Sequence, residues 1–106
     1  MINELYETIL QRREEGAENS YTRYLFDAGL DKMLKKVGEE SAEVLIAAKN
    51  ADKDALVGEI GDLAYHVLVL MAQCGVTPEE VRELLRQRHG TAGNLKPPRD
   101  TAEDAL

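Results

Sequence analysis

Apolar residues recur at helical spacing through most of the chain. Leu5, Tyr6 and Ile9 share one face of a predicted helix over about Asn3–Glu15. The stretch "EGAENS" then breaks the pattern with glycine and polar residues. Ser20 is a cap for a short helix over Tyr21–Ala28, which Gly29 is expected to close in the left-handed conformation. Asp31 is expected to cap the next helix, Lys32–Asn50, whose apolar row is Leu30, Leu34, Val37, Ser41, Val44, Leu45 and Ala48. "NADKD" turns the chain into a long helix over about Lys53–Cys74, which Gly75 ends. Thr77 caps a last helix that starts with Pro78, places Glu79 and Glu80 in its first turn and runs to about His89. No proline precedes Pro78 and β-branched residues are sparse, so the expected fold class is all-α. The remainder, "GTAGNLKPPRDTAEDAL", is rich in glycine, proline and charge. The expected organisation is one domain over residues 1–89 and a mobile or loosely docked tail over 90–106, with no internal repeat.

A chain of 106 residues is one small domain with a thin core, a weakness that helices relieve by dimerising. Its 43% apolar and 31% charged residues are ordinary for a soluble protein. The net charge of −7 disfavours nucleic acid and anionic membranes as partners, since both require a basic footprint. It leaves room for a small anionic substrate recruited through a bound divalent cation. The single cysteine, Cys74, excludes an internal disulfide framework and a cysteine zinc site, suits the cytoplasm, and reads as a small buried apolar residue. The N-terminal stretch "MINELYETILQRREE" lacks the basic start and apolar core of a signal peptide. The nearly apolar run Leu63–Cys74 is expected to be too short to span a bilayer.

The acidic residues change the picture. "GEESAEVLIAAKN" (Gly38–Asn50) sets three glutamates against an apolar run. At 100° per residue from Leu30, Glu40 falls at about 280°, Glu43 at about 220° and Glu39 at about 180°. Glu40 and Glu43 thus flank the apolar row one turn apart, with Glu39 further back. On the long third helix Glu59, Asp62, His66 and Gln73 fall within about 60° of arc. That helix carries no lysine or arginine after Lys53 and is apolar or glycine almost everywhere else from Leu56 on. A solvated face is broad and mixes both signs, whereas this stripe is narrow and acidic. In an antiparallel hairpin across "NADKD", Glu40 and Glu43 face Glu59 and Asp62. Four converging carboxylates repel unless cations occupy the gap, and an all-oxygen set favours Mg²⁺ or Mn²⁺ over zinc.

"EESAE" (Glu39–Glu43) followed by "EIGD" (Glu59–Asp62) fits EExxE…ExxD and resembles the all-α, MazG-like nucleoside triphosphate pyrophosphohydrolases. Residues Ser20–Asn50 and Glu59–His89 together are similar to phosphoribosyl-ATP pyrophosphohydrolase of histidine biosynthesis, a likeness that runs from about Ile2 to His89. The resemblance implies a MazG-like helical bundle completed by homodimerisation, with sites formed partly at the subunit interface. It implies hydrolysis of phosphoribosyl-ATP to phosphoribosyl-AMP and pyrophosphate by a stand-alone domain. Glu40, Glu43, Glu59 and Asp62 would then hold Mg²⁺, which neutralises the leaving pyrophosphate and lowers the pKa of a water. Glu39 would orient or deprotonate that water.

Several residues keep two readings. Lys32 and Lys36 lie on the carboxylate side and either contact phosphate or form generic pairs such as Lys36–Glu40. Asn50 either bonds substrate or ends its helix. Ser20 is a phosphate cradle or a plain cap. His66 orients a carboxylate, touches substrate, or is a hydrogen-bonded interior histidine. Arg86, Arg88 and His89 read as a solvated helix end rather than as contacts for the substrate's phosphoribosyl 5′-phosphate, and Tyr21 and Tyr24 as core packing rather than as a stack for adenine. Two other functions fit the same stripes: a general (deoxy)nucleoside triphosphate pyrophosphohydrolase, and a non-enzymatic helical dimerisation module that binds a basic partner.

Overall fold

The computed structural model describes residues 1–15 and 20–90. Five helices make up nearly all of them: α1 (Ile2–Glu15), α2 (Tyr21–Ala28), α3 (Leu30–Lys49), α4 (Lys53–Cys74) and α5 (Pro78–His89). No strand occurs among the described residues, in keeping with the all-α expectation. The polar break at 16–19 and the expected tail from 91 onward lie outside the described residues.

Local chemistry sets most of the boundaries. Ser20 Oγ accepts from the Arg23 N–H at 3.3 Å, and Asp52 Oδ1 from the Ala55 N–H at 3.0 Å. At α5 the Thr77 N–H donates to Glu80 Oε1 at 2.9 Å and the Glu80 N–H to Thr77 Oγ1 at 3.2 Å, a reciprocal capping box. The bond from the Thr77 backbone holds the Glu80 carboxyl below its ordinary range. Gly75 ends α4 in the left-handed region, with φ 74° and ψ 23°.

One boundary differs from expectation. Gly29 has φ 98° but ψ −177°, so it combines a positive φ with an extended ψ rather than closing α2 as a left-handed cap. The same glycine serves as the N-cap residue of α3, which begins at Leu30. Asp31 therefore lies inside the first turn of α3 and makes no side-chain cap. With one residue between two helices, no position remains for an aspartate ahead of the second.

The core gathers around the C-terminal half of α4. Tyr6 and Ile9 of α1, Leu25 of α2 and Met33 of α3 pack with Leu68, Val69 and Ala72. The Tyr6 hydroxyl donates to the Val76 carbonyl at 2.8 Å. Arg13 donates from Nη1 to the Ala72 carbonyl at 3.2 Å, which puts a cation on the negative end of α4. Arg82 of α5 donates from Nη2 to Asn3 Oδ1 at 2.7 Å and ties the last helix to the first.

The N-terminal half of α4 packs chiefly on α3, and this hairpin reaches away from the core. The Cα radius of gyration, 16.3 Å, exceeds the roughly 13 Å of a compact chain of about 100 residues. Here the sequence-based assignment of faces is corrected. The apolar row of α3 is largely bare: Leu30, Leu34 and Leu45 are 42%, 49% and 70% exposed. The buried residues are Met33 and Ala47, with Lys36 and Glu40 half-buried between them. They occupy the arc from about 240° to 300°. α3 thus turns its carboxylate flank toward α4 together with the near edge of its apolar row, where Val37, Ser41 and Val44 are half-buried. A helix projection shows which residues share a face, but two flanks of α3 are apolar enough to pack, and α4 covers one.

Two smaller expectations change with it. Cys74 is exposed. The whole of α4, at 22 residues with a mean hydropathy of 1.5 in its most apolar window, is long and apolar enough to cross a membrane by length and composition. The shorter run Leu63–Cys74 understated that, because Asp62 and Glu59 interrupt the sequence ahead of it. On α4, Val57 and Ile60 are likewise bare, at 64% and 50% exposed.

Candidate functional site

The carboxylates meet where the hairpin leaves the core. Glu40 projects from the packed flank of α3, and Glu59 and Asp62 stand one turn apart on α4. One oxygen from each of these three lies within 4.8 Å of the other two. The burial is graded: the Glu40 side chain is 14% exposed, Glu59 is half-buried and Asp62 is exposed. The site is therefore open to solvent on the Asp62 side.

Glu43 is exposed and stands outside that triad. It still acts on it. Burial raises the Glu59 carboxyl above its ordinary range, and repulsion from Glu43, Asp62 and Glu40 raises it further. Glu39, also exposed, lies outside the triad and interacts with Lys36.

One lysine enters the cluster. Lys36 Nζ lies 3.5 Å from Glu40 Oε1, the generic i, i+4 pairing. Burial alone would push the Lys36 ammonium down, but Tyr21, Glu39 and Glu40 together outweigh it and hold the ammonium up. Lys36 offsets the charge of Glu40 and leaves Glu59 and Asp62 uncompensated. An all-carboxylate set with oxygens this close, and an acid raised by its like-charged neighbours, fits a hard divalent cation bound through oxygen. Nothing in the donor set offers sulfur or a free imidazole.

His66 is the hydrogen-bonded interior histidine of the two readings. Its Nδ1 lies 2.7 Å from the Asp62 carbonyl and its Nε2 3.0 Å from the Tyr21 hydroxyl. A carbonyl only accepts, so Nδ1 carries the hydrogen and Nε2 accepts from Tyr21. Both nitrogens are committed, and His66 supports the Asp62 backbone rather than its carboxylate. Ser20 caps α2 and is buried, holding Tyr21 at the helix start. The ammonium of Lys32 lies 6.0 Å from the centroid of Tyr24. Asn50 is the C-cap residue of α3, about 15 Å along the helix axis from Glu40. At the end of α5, Arg86 pairs with Glu83 and, at 3.7 Å, with Glu79.

Tyr21 and Tyr24 are not core residues: they are 45% and 48% exposed. Their rings stack with centroids 6.0 Å apart, and Tyr21 stacks on Tyr65 at 6.2 Å. The hydroxyls of Thr22 and Tyr65 are hydrogen-bonded to each other, which fixes α2 against α4. Sequence reasoning missed this aromatic group because it depends on α2 crossing α4. The available signal was the i, i+3 spacing of Tyr21 and Tyr24 directly after a cap.

The chain is similar to known proteins over nearly all of its described residues. The family described as phosphoribosyl-ATP pyrophosphohydrolase matches residues 2–89. A phosphoribosyl-ATP pyrophosphatase of Clostridium novyi is 51% identical over 98% of this chain and 94% of its own. One from Pelotomaculum thermopropionicum is 58% identical over 83% of this chain and 90% of its own. The histidine biosynthesis bifunctional protein HisIE of Lactococcus lactis is 52% identical over 91% of this chain, which spans 45% of that longer protein.

The raised Glu59 carboxyl has a sign that can be checked. A group whose pKa is higher in the folded state stabilises the fold below its unfolded pKa and loses that contribution as pH rises through the folded value. Glu59→Gln is therefore expected to raise the melting temperature at neutral pH without divalent cations, and to flatten the loss of stability between mildly acidic and neutral pH. Mg²⁺ should raise the melting temperature of the parent protein with concentration and that of the variant far less. Scanning calorimetry over pH and Mg²⁺ measures both. A variant less stable than its parent at neutral pH without metal would contradict the reading.

Proposed function

The chain belongs to the phosphoribosyl-ATP pyrophosphohydrolase family, and from that membership we propose that it hydrolyses phosphoribosyl-ATP to phosphoribosyl-AMP and pyrophosphate with Mg²⁺ held between α3 and α4. The observation that carries this is the convergence of Glu40, Glu59 and Asp62 within 4.8 Å, at the mouth of a helical hairpin. Glu43, one turn along α3 from Glu40, is the proposed fourth ligand and already acts electrostatically on Glu59. Mg²⁺ suits the site better than softer metals, and Mn²⁺ is the expected substitute. When bound, the cation neutralises the charge that builds up on the leaving pyrophosphate and acidifies water.

The chain's own groups supply the rest. Lys36 sits beside Glu40 with its charge held on, and is proposed to turn from Glu40 to a phosphate oxygen when substrate enters. Lys32 adds a second cation on the same helix, one turn earlier. Glu39 is the proposed base for the attacking water, and it interacts with Lys36, the residue proposed to contact the phosphate chain. His66 and Ser20 hold the frame: the first fixes the backbone at Asp62, the second the start of α2. Asn50 stays at the far end of α3 and is assigned to ending that helix.

The working unit is proposed to be a homodimer. Leu45, Ile46, Val57 and Ile60 are each at least half exposed and line the outside of the hairpin. A Cβ added at Gly58 or Gly61 meets nothing within 4 Å, so these glycines leave room on that side. A second copy of the hairpin covers such a surface, and neither nucleic acid nor a membrane is needed to account for it. We assign the protein to the cytoplasm, where a phosphorylated substrate that cannot cross a membrane is retained. Sedimentation of Leu45→Asp reads this directly: the parent should run as a dimer and the variant shift toward single chains. A parent that runs as single chains at micromolar concentration would sink the dimer.

The decisive assay supplies Mg²⁺ with phosphoribosyl-ATP and, separately, with the common nucleoside and deoxynucleoside triphosphates. Pyrophosphate release from phosphoribosyl-ATP is expected. Asp62→Asn should lower it by roughly 10²- to 10³-fold, the scale of losing one preorganised electrostatic stabiliser. Release from the common triphosphates alone would establish the general housekeeping function instead. No release from any of them would leave the non-enzymatic dimerisation module.

A further inference from the structure

The exposed tyrosines of α2 are the feature that neither the metal site nor the fold explains. Tyr24, Tyr21 and Tyr65 form a stepped stack, with centroid separations of 6.0 and 6.2 Å and interplanar angles of 29° and 27°. Tyr65 is half-buried at the inner end, whereas Tyr21 and Tyr24 are nearly half exposed. Burying such rings against solvent-facing positions of a short helix gains nothing for the core.

The stack is held from behind. His66 meets Tyr21 and Tyr65 edge-on, at centroid distances of 5.7 and 5.1 Å. The Tyr21 hydroxyl is spent as a donor to His66 Nε2, since Nδ1 of the same ring is engaged by the Asp62 carbonyl. That bond fixes the ring of Tyr21 and leaves its oxygen free to accept from a further donor. Tyr24 makes no hydrogen bond through its hydroxyl among the described residues, and its ring is the open end of the stack.

Charge locates what the stack receives. Lys32 lies over the ring of Tyr24, and Lys36 interacts with Tyr21 while pairing with Glu40 of the acidic triad. Along one side of α3, two cations thus run from the aromatic shelf toward the proposed metal site. A ligand that fits both ends carries a flat aromatic ring at one end and a phosphate chain at the other.

We infer that Tyr24, at the open end of the stack and backed by Tyr21, forms the shelf on which the purine base of the nucleotide substrate stacks. The inference rests on the proposed pyrophosphohydrolase function and deepens it. Stacking on tyrosine is tolerant of substituents at the ring edge, so it accepts a base that bears a bulky N-linked group. Lys32 and Lys36 then lead the phosphates from the base to the carboxylates. The Tyr21 oxygen is an acceptor for a sugar hydroxyl or an exocyclic N–H of the same ligand.

Tyr24 is the position to change, because its loss breaks no hydrogen bond. Tyr24→Ala, Tyr24→Leu and Tyr24→Phe are compared with the parent for KM and kcat on phosphoribosyl-ATP, and for inhibition by pyrophosphate. Alanine should raise KM at least about fivefold, toward the roughly 5- to 150-fold range of base–aromatic stacking, with the effect on KM rather than kcat. Phenylalanine should restore the parent KM and leucine should not, because leucine fills space but presents no flat face. The pyrophosphate inhibition constant should stay within about twofold of the parent, since pyrophosphate carries no base. An unchanged KM in Tyr24→Ala, rescue by leucine, or an equal loss of pyrophosphate binding would each overturn the shelf while the parent still turns over. Loss of the dimer in sedimentation of Tyr24→Ala would overturn it as well and assign the rings to the second copy of the chain. A parent that does not act on phosphoribosyl-ATP would instead sink the underlying function.

Discussion

Like-charge repulsion at the α3–α4 contact is the constraint on which the rest depends. Glu40 sits in the middle of the packed flank of α3, where Met33 and Ala47 are the buried neighbours. Glu59 and Asp62 meet it from α4. A pair of helices selected only for stability would place apolar residues there, as each helix does elsewhere along its length. The arrangement raises the Glu59 carboxyl and leaves Lys36 as the cation paired within the cluster. The fold holds this strained contact because the C-terminal half of α4 is anchored independently, under α1 and α2, with Arg13 and Tyr6 tying its end in place. Stability comes from one half of α4, and the proposed chemistry is assigned to the other.

This division explains why so small a chain leaves so much apolar surface bare. The carboxylates take the flank of α3 that a simple hairpin would use for its core. The outer part of the apolar row, Leu30, Leu34 and Leu45, is displaced to the outside, where only another molecule can cover it. The proposed metal site between helices and the apolar face outside them are thus two consequences of a single rotation of α3. The proposed dimer and the proposed catalysis are linked through that rotation.

The helices were legible in the sequence because local chemistry decides them. Ser20, Asp52, Thr77 with Glu80, and Gly75 cap in the structure as their residue types imply. The ExxD pair on α4 and Glu40 were legible too, since periodicity groups each set on one stripe and the short turn between the helices pairs them as a hairpin. What periodicity does not decide is which of two usable flanks a neighbour covers. Hence the apolar row of α3 was assigned to the core, Glu40 to its margin, and Tyr21 and Tyr24 to packing. Glu43 and Glu39 show the same limit: both lie on the acidic side of α3, yet one acts on Glu59 and the other on Lys36. The crossing of α2 over α4, which brings Tyr21 to His66, is a tertiary contact with no local signature.

Because the convergence of Glu40, Glu59 and Asp62 is the central claim, the most direct measurement is a Mn²⁺ titration followed by electron paramagnetic resonance of the free ion at neutral pH. The account predicts saturable binding by the folded protein, displacement by Mg²⁺, and marked weakening in Glu59→Gln. Binding that fails to saturate, or that survives unchanged in the variant, would contradict it.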